Sequence, residues 1–179
     1  ALAGLAAVTL VAAACSSGKT AQPAAATAPP RTGLVPGDAP IRGSAPAFTG
    51  QTFTHGTFDL AAKAGKPVVV NFWFPSCPPC KAELPDLQAA YEKYKGRVEF
   101  VGVQQTGLDS AAAGSQFWDD LKITFPAFPD VGSKVQAAYN VNSYPTTVFL
   151  DKDHNIVRKW TGLIDKDRLE ENIQAILKG

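Results

Sequence analysis

The chain has 179 residues, 45% hydrophobic and 18% charged, with a formal net charge of +1. That length holds one domain with appendages, and so even a charge balance excludes the electrostatic footprint of a nucleic-acid binder. Its three cysteines are too few and too unevenly placed for a disulfide scaffold: Cys15 stands alone, while Cys77 and Cys80 make one Cys-x-x-Cys.

Residues 1–14, ALAGLAAVTLVAAA, are apolar or small throughout. They are fewer than the roughly 20 residues that span a bilayer and suit the apolar region of an export signal. Neither Met nor a basic segment precedes them, so the true start is expected upstream. Ala12-Ala13-Ala14 runs into Cys15, and Ser16-Ser17-Gly18 follows. This resembles a bacterial lipobox, with Ala12 where Leu is usual, so Cys15 is expected to be acylated after cleavage. The alternative is an ordinary secretory signal with an incidental cysteine. Both place the mature chain outside the cytosol, where disulfide exchange has substrates. Residues 16–45, rich in Ala, Pro, Thr, Ser and Gly, cannot build a core and read as a flexible tether. Its mean reach is about 30 Å.

The folded domain is expected over 46–179. Phe48 and Phe53 flank Gly50-Gln51, read as a turn between two short strands. Phe58 to Ala62 reads as one or two helical turns stopped by Gly65. Val68-Val69-Val70-Asn71-Phe72-Trp73 is the continuous apolar run of a buried strand. A helix over 78–94 follows, with Leu84, Leu87, Ala90, Tyr91 and Tyr94 on one face and Gly96 at its end. Pro85 falls inside it and should kink it. Further on come a strand over 98–103, helices over 109–121 and 132–139, a strand over 146–150, a turn over 151–155, its hairpin partner over 156–160 and an amphipathic helix over 167–178. The first strand–helix–strand unit requires a parallel pair with a right-handed crossover. The hairpin adds antiparallel strands, and helices on both faces complete a three-layer α/β/α sandwich with a mixed central sheet.

Cys77 falls where a buried strand ends and a helix begins. Unpaired N–H groups and the positive end of the helix dipole favour its thiolate, the attacking species in exchange. Cys80 is one turn on, within reach of a bond and less exposed. Pro78 and Pro79 stiffen the first turn without losing a needed hydrogen bond. Cys77 would attack a substrate disulfide, and Cys80 would resolve the mixed disulfide. An inert structural disulfide closing so small a loop would gain little. No second Cys-x-x-Cys and no His pair supports zinc: His55 and His154 are far apart without ligand spacing. No cofactor is implied.

The segment Val70-Asn71-Phe72-Trp73-Phe74-Pro75-Ser76-Cys77-Pro78-Pro79-Cys80-Lys81-Ala82-Glu83-Leu84-Pro85 resembles the active-site stretch of TlpA/ResA-like thioredoxins, roughly NFWxxWCxPCxxExP. The similarity extends over about residues 46–179. It implies a thioredoxin-like fold and an exported thiol–disulfide oxidoreductase. Many relatives reduce the haem-attachment cysteines of apocytochrome c and are recharged by a membrane electron carrier. The partners implied are therefore proteins bearing disulfides or thiols, a membrane electron donor, and the membrane itself through a lipid anchor. Asn71 stands where ordinary thioredoxin has Asp, and Ser76 where Trp is common. The resemblance gives Glu83 a role in proton traffic, against the alternative of a carboxylate placed for the helix dipole. It also makes the Tyr144–Pro145 bond cis, against a general prior of about 5% for such bonds. Pro145 would face the cysteines, and Tyr144 would offer backbone groups to an extended substrate.

Trp73 is read as packing beneath the active-site loop or touching substrate, and Trp118 and Trp160 as packing. Lys81 adds positive potential near Cys77 or is simply solvated. The leading reading is a disulfide reductase. A disulfide-forming oxidase is the near alternative, since two residues between the cysteines do not set the direction. A peroxiredoxin lacks its Pro-x-x-x-Thr-x-x-Cys setting here. A copper-delivery module would need wider Cys spacing with a His or Met ligand, and the chain has no Met.

Overall fold

The structure, a computed structural model, describes residue 1 and residues 43–54 and 56–179. The expected export signal, Cys15, most of the tether and His55 lie outside the described residues. Strand β3 (Val68–Trp73) is buried along its whole length. It lies between β4 (Glu99–Gln105), parallel to it, and β6 (Thr146–Leu150), antiparallel. With β5 (Ala127–Asp130) and β7 (Ile156–Thr161) the sheet order is β5-β4-β3-β6-β7. Alternate β3 side chains enter opposite cores, Val69 and Trp73 on one face and Val68, Val70 and Phe72 on the other. Both faces are covered, which explains the unbroken apolar run.

On the first face lie α1 (Pro78–Tyr94), through Leu84 and Leu87, and α4 (Lys166–Lys178), through Leu169, Ile173 and Ile176. Trp118 of α2 (Ala111–Asp120) joins them. The second face carries Val135 of α3 (Lys134–Ala138) and Tyr139, with Phe48 and Phe58 packed alongside. The architecture is the expected three-layer sandwich with a mixed sheet. Ser110 and Asp165 cap α2 and α4, accepting from Ala113 N–H at 3.1 Å and Arg168 N–H at 2.8 Å. α1 runs unbroken through Pro85. Trp118 is buried, as expected; Trp160 is half-buried, its indole N–H donating to the Leu163 carbonyl at 3.2 Å.

Three local expectations are corrected. Gly50-Gln51 is not a turn but the end of β1 (Thr49–Gln51), which pairs with β2 (Thr57–Asp59). A Cβ at Gly50 would overlap the Phe128 ring, so this glycine serves close packing. The reversal comes later, where the Thr52 N–H and hydroxyl both donate to the Gly56 carbonyl, at 2.7 and 2.6 Å. The helix expected from Phe58 reduces to one 3-10 turn, Ala61–Lys63, because Phe58 and Asp59 are held in β2 and Asp59 Oδ1 accepts the Ala61 N–H at 3.0 Å. Strand β5 was not expected at all. Pro126 and Pro129 argue against a strand, but β5 is an edge, where a missing N–H is tolerated.

Residues 43 to 46, the first three of them inside the stretch read as tether, are attached to the domain. The Gly43 carbonyl accepts the Ile156 N–H at 2.8 Å, and Ser44 bridges Asn155. The Tyr139 hydroxyl donates to the Pro46 carbonyl at 2.9 Å.

Gly102, in mid-β4, marks where the aromatic layer meets the sheet. A Cβ there would lie 2.8 Å from both Trp118 Cη2 and Trp73 Nε1 and 3.0 Å from Ala127 Cβ. Gly102→Val is expected to destabilise the fold by about 1–3 kcal/mol through overpacking, read as a lower urea midpoint with an unchanged slope.

Candidate redox site

Buried β3 delivers the chain to the sheet edge, and α1 starts at once. Cys77 is the N-cap of α1, in extended conformation, and its Sγ accepts the Cys80 N–H at 3.2 Å. Pro78 occupies the first helical position, where no donor is needed. The two cysteines form a disulfide with a Cα–Cα distance of 5.3 Å. Cys80 is wholly buried and Cys77 is 3% exposed, so of the pair the N-terminal residue is the one that keeps a small exposure. Pro78 is exposed and Pro79 half-buried.

The Tyr144–Pro145 peptide is cis. It immediately precedes β6, whose Thr146 pairs with Phe72 of β3, so the proline loop lies at the sheet edge where β3 runs into Cys77. The Tyr144 ring meets Phe74 edge-on at 5.3 Å, joining the two loops. The Tyr144 hydroxyl is buried without a partner, and burial together with the Asp130 charge pushes its pKa up to about 12. It is therefore a neutral group at physiological pH.

Glu83, one turn below Cys80 on α1, is 1% exposed. Its Oε1 accepts from Asn71 Nδ2 at 2.8 Å and its Oε2 from the Ile164 N–H at 3.0 Å. Asn71 Nδ2 also donates to Thr147 Oγ1 at 3.0 Å. Burial raises the Glu83 pKa from 4.5 to about 7, against the opposing pull of the Ile164 and Asn71 hydrogen bonds. A carboxyl poised there can hold or release a proton near neutrality. The dipole alternative fits less well, because Glu83 points into the protein. Asn71 takes the buried place where thioredoxin has an acid, and here it orients one.

Of the two readings of Trp73, packing fits and substrate contact does not. The residue is fully buried and stacked between Phe117 and Trp118, with centroids 5.4 and 4.5 Å away. It supports the loop from below and presents no surface to a substrate. Lys81 is exposed. Sequence reasoning missed Asp109, which it read only as a helix start. Asp109 Oδ2 accepts from both the Ser76 N–H, at 3.0 Å, and the Ser76 hydroxyl, at 2.8 Å. No local signal joins positions 33 residues apart in the chain.

Comparison with known proteins agrees with this arrangement. Residues 41–159 match the family described as AhpC/TSA. The chain belongs to that family. Relatives of the chain include thiol-disulfide oxidoreductases. The thiol-disulfide oxidoreductase ResA of Oceanobacillus iheyensis is 37% identical over 121 residues, covering 67% of this chain and 62% of the relative. ResA of Bacillus cereus is 33% identical over 135 residues, covering 74% and 76%. Among solved structures, the exposed lipoprotein thioredoxin of Streptococcus pneumoniae superposes with a TM-score of 0.67 at 26% identity, covering 73% of this chain and 99% of that one. The fold is thioredoxin-like, and the chain is of the ResA thiol–disulfide oxidoreductase type.

The raised Glu83 pKa carries a stability consequence. The folded state holds this proton more tightly than the unfolded chain, so the contribution is full below about pH 4.5 and is lost as pH rises through about 7. Glu83→Gln has no proton to lose, and Asn71 can turn its amide to meet it because Asn71 Oδ1 has no other partner. In urea unfolding of the oxidised protein, the variant is expected to gain on the wild type by about 2–3 kcal/mol between about pH 5 and pH 8.

Proposed function

We propose that this chain reduces disulfides in exported proteins, working as a lipid-tethered dithiol on the outer face of the cell membrane. The observation that carries the reading is the Cys77–Cys80 disulfide at the start of α1, with Cys77 the one of the pair that keeps a small exposure and Glu83 buried one turn beneath Cys80.

In the reduced chain the α1 N-terminus and the Cys80 N–H favour the Cys77 thiolate. That thiolate attacks one sulfur of a substrate disulfide. A Cys77–substrate bond forms, the substrate S–S bond breaks, and the departing sulfur leaves as a thiolate that takes a proton from water. Glu83, ionised for about half the time near neutrality, accepts the Cys80 proton. The Cys80 thiolate then attacks Cys77 Sγ; the Cys77–substrate bond breaks, the internal disulfide is restored, and the second substrate sulfur leaves as a thiolate that takes a proton from water, while Glu83 returns its proton to solvent. Two electrons have passed to the substrate, and a dithiol donor must return them. The membrane electron carrier implied by the family resemblance would fill that role, and apocytochrome c is a candidate substrate. Pro145, without an N–H, and the Tyr144 backbone would receive the extended substrate strand, beside Pro78 and Pro79.

The outward location rests on residues 1–15 of the sequence and on the likeness to an exposed lipoprotein. Cys15→Ala should move the protein from the membrane fraction to the soluble exported fraction.

Equilibration with glutathione tests the direction. A potential well below the glutathione poise supports the reductase, and one well above it supports the oxidase, which runs the same steps backward. In an insulin-type disulfide assay, Cys77→Ser should abolish turnover. Cys80→Ser should accumulate mixed disulfides through Cys77, seen as a mass increase removed by dithiothreitol. Normal turnover in either variant would rule out the mechanism.

A further inference from the structure

Outside the two cysteines and Glu83, the described residue most directly tied to the start of α1 is Asp109. It lies in the loop between β4 and α2 and is only partly exposed. One carboxylate oxygen, Oδ2, takes both donors of Ser76, the residue immediately before the nucleophile. The loop carrying it is itself braced. Gln104, wholly buried at the end of β4 and paired in register with Trp73, donates through Nε2 to the Ser110 carbonyl at 2.8 Å and the Asp109 carbonyl at 3.4 Å. Ser110 in turn caps α2.

We propose that Asp109 is a positioning and tuning residue for Cys77: it clamps Ser76 and holds a negative charge at the mouth of α1, where it opposes the Cys77 thiolate and makes the dithiol more reducing. The inference rests on the exchange chemistry above and deepens it. From the 3.0 Å contact and standard bond lengths, the carboxylate lies within about 10 Å of Cys77 Sγ, comparable to a Debye length. It also occupies the Ser76 N–H, removing that donor from the set facing the sulfur. The helix N-terminus pulls the thiol pKa down, and Asp109 pulls against it. Among the described residues, α1 also carries Cys80, Lys81 and Glu83 near its start, and the proline loop carries Tyr144 with Asp130 acting on it. Tyr144 stays neutral, and Glu83 reaches away from Ser76 toward Asn71 and Ile164.

A less stable thiolate shifts the dithiol–disulfide equilibrium toward the disulfide, so the reduced protein gives up electrons more readily. The resemblance stated earlier puts Trp at position 76; a Trp could not supply the hydroxyl that Asp109 binds. The hydroxyl half of the clamp needs Ser76, while the main-chain half and the charge do not.

The test uses the whole chain and three variants. Asp109→Asn keeps an acceptor oxygen and removes the charge. Ser76→Ala keeps the charge and the main-chain hydrogen bond. Asp109→Glu restores the charge. Thiolate ultraviolet absorbance against pH reads Cys77 ionisation, and equilibration with glutathione reads the redox constant. Asp109→Asn is expected to raise the Cys77 acid constant about five-fold and to move the glutathione equilibrium toward the dithiol by a few-fold, where tenfold corresponds to about 30 mV. Ser76→Ala should stay within about two-fold of wild type in both readouts, and Asp109→Glu should return toward it. Asp109→Asn unchanged in both readouts overturns the proposal. So does a Ser76→Ala shift as large as that of Asp109→Asn, since loop geometry and not charge would then be responsible. A wild-type protein that failed to equilibrate with glutathione at all would instead remove the exchange reading itself.

Discussion

Everything at the reactive edge depends on burying one carboxyl. Glu83 sits between β3, α1 and the segment leading into α4, bound on one side by Asn71 and on the other by the Ile164 main chain. Placing an acid there is unfavourable unless each oxygen finds a donor, and here each does. The two bonds also join elements far apart in the chain, since Ile164 is 81 residues from Glu83. The same contacts that make the group tolerable fix the depth at which α1 docks, and with it the position of the disulfide one turn above. The proposed proton acceptor and the docking of α1 use one set of atoms, so loosening these contacts would also move the helix.

Above that anchor, the active-site loop rests on aromatic rings. Phe117, Trp73 and Trp118 stack, and Phe125 closes the series edge-on to Trp118 at 5.0 Å. The Trp118 indole donates to the Phe125 carbonyl at 3.0 Å. Trp73, Trp118 and Phe125 are buried, while Phe117 is only partly so. Specific contacts with a partner must therefore come from the loops at the rim and not from the indole preceding them.

Much of this was legible in the residues because local pattern and tertiary role coincide. The β3 run, the α1 spacing and the cysteine pair all state their environment directly, and α1 ends where Gly96 with its positive φ permits. What was missed depends on non-local contacts. Gly50 looks like a turn residue and is a strand residue, because the reason for glycine is Phe128, far along the chain. β5 contains Pro129 beside Pro126 and reads as loop until its place at the sheet edge is known. Trp73 sits next to the active-site loop in sequence, yet strand alternation turns it inward. The acid and its partners show the same divide. Glu83 could be named from the family resemblance, but its raised pKa follows from burial, partly offset by Asn71, and only the folded sheet supplies both.

The bridge between Ser44 and Asn155 has an implication for how the molecule is carried. Asn155 belongs to the β6–β7 reversal, while Thr146 and Thr161, at the other ends of those strands, lie on the side where β3 runs toward the Cys77 loop. The upstream chain is therefore fastened to the heel of the sheet, with the full length of the strands separating it from the reactive sulfur. Under the tethering proposed above, a pull from that heel would turn the disulfide away from the surface that holds it. The orientation would be set by where the leash is tied, with no second contact needed to aim the molecule at its partners.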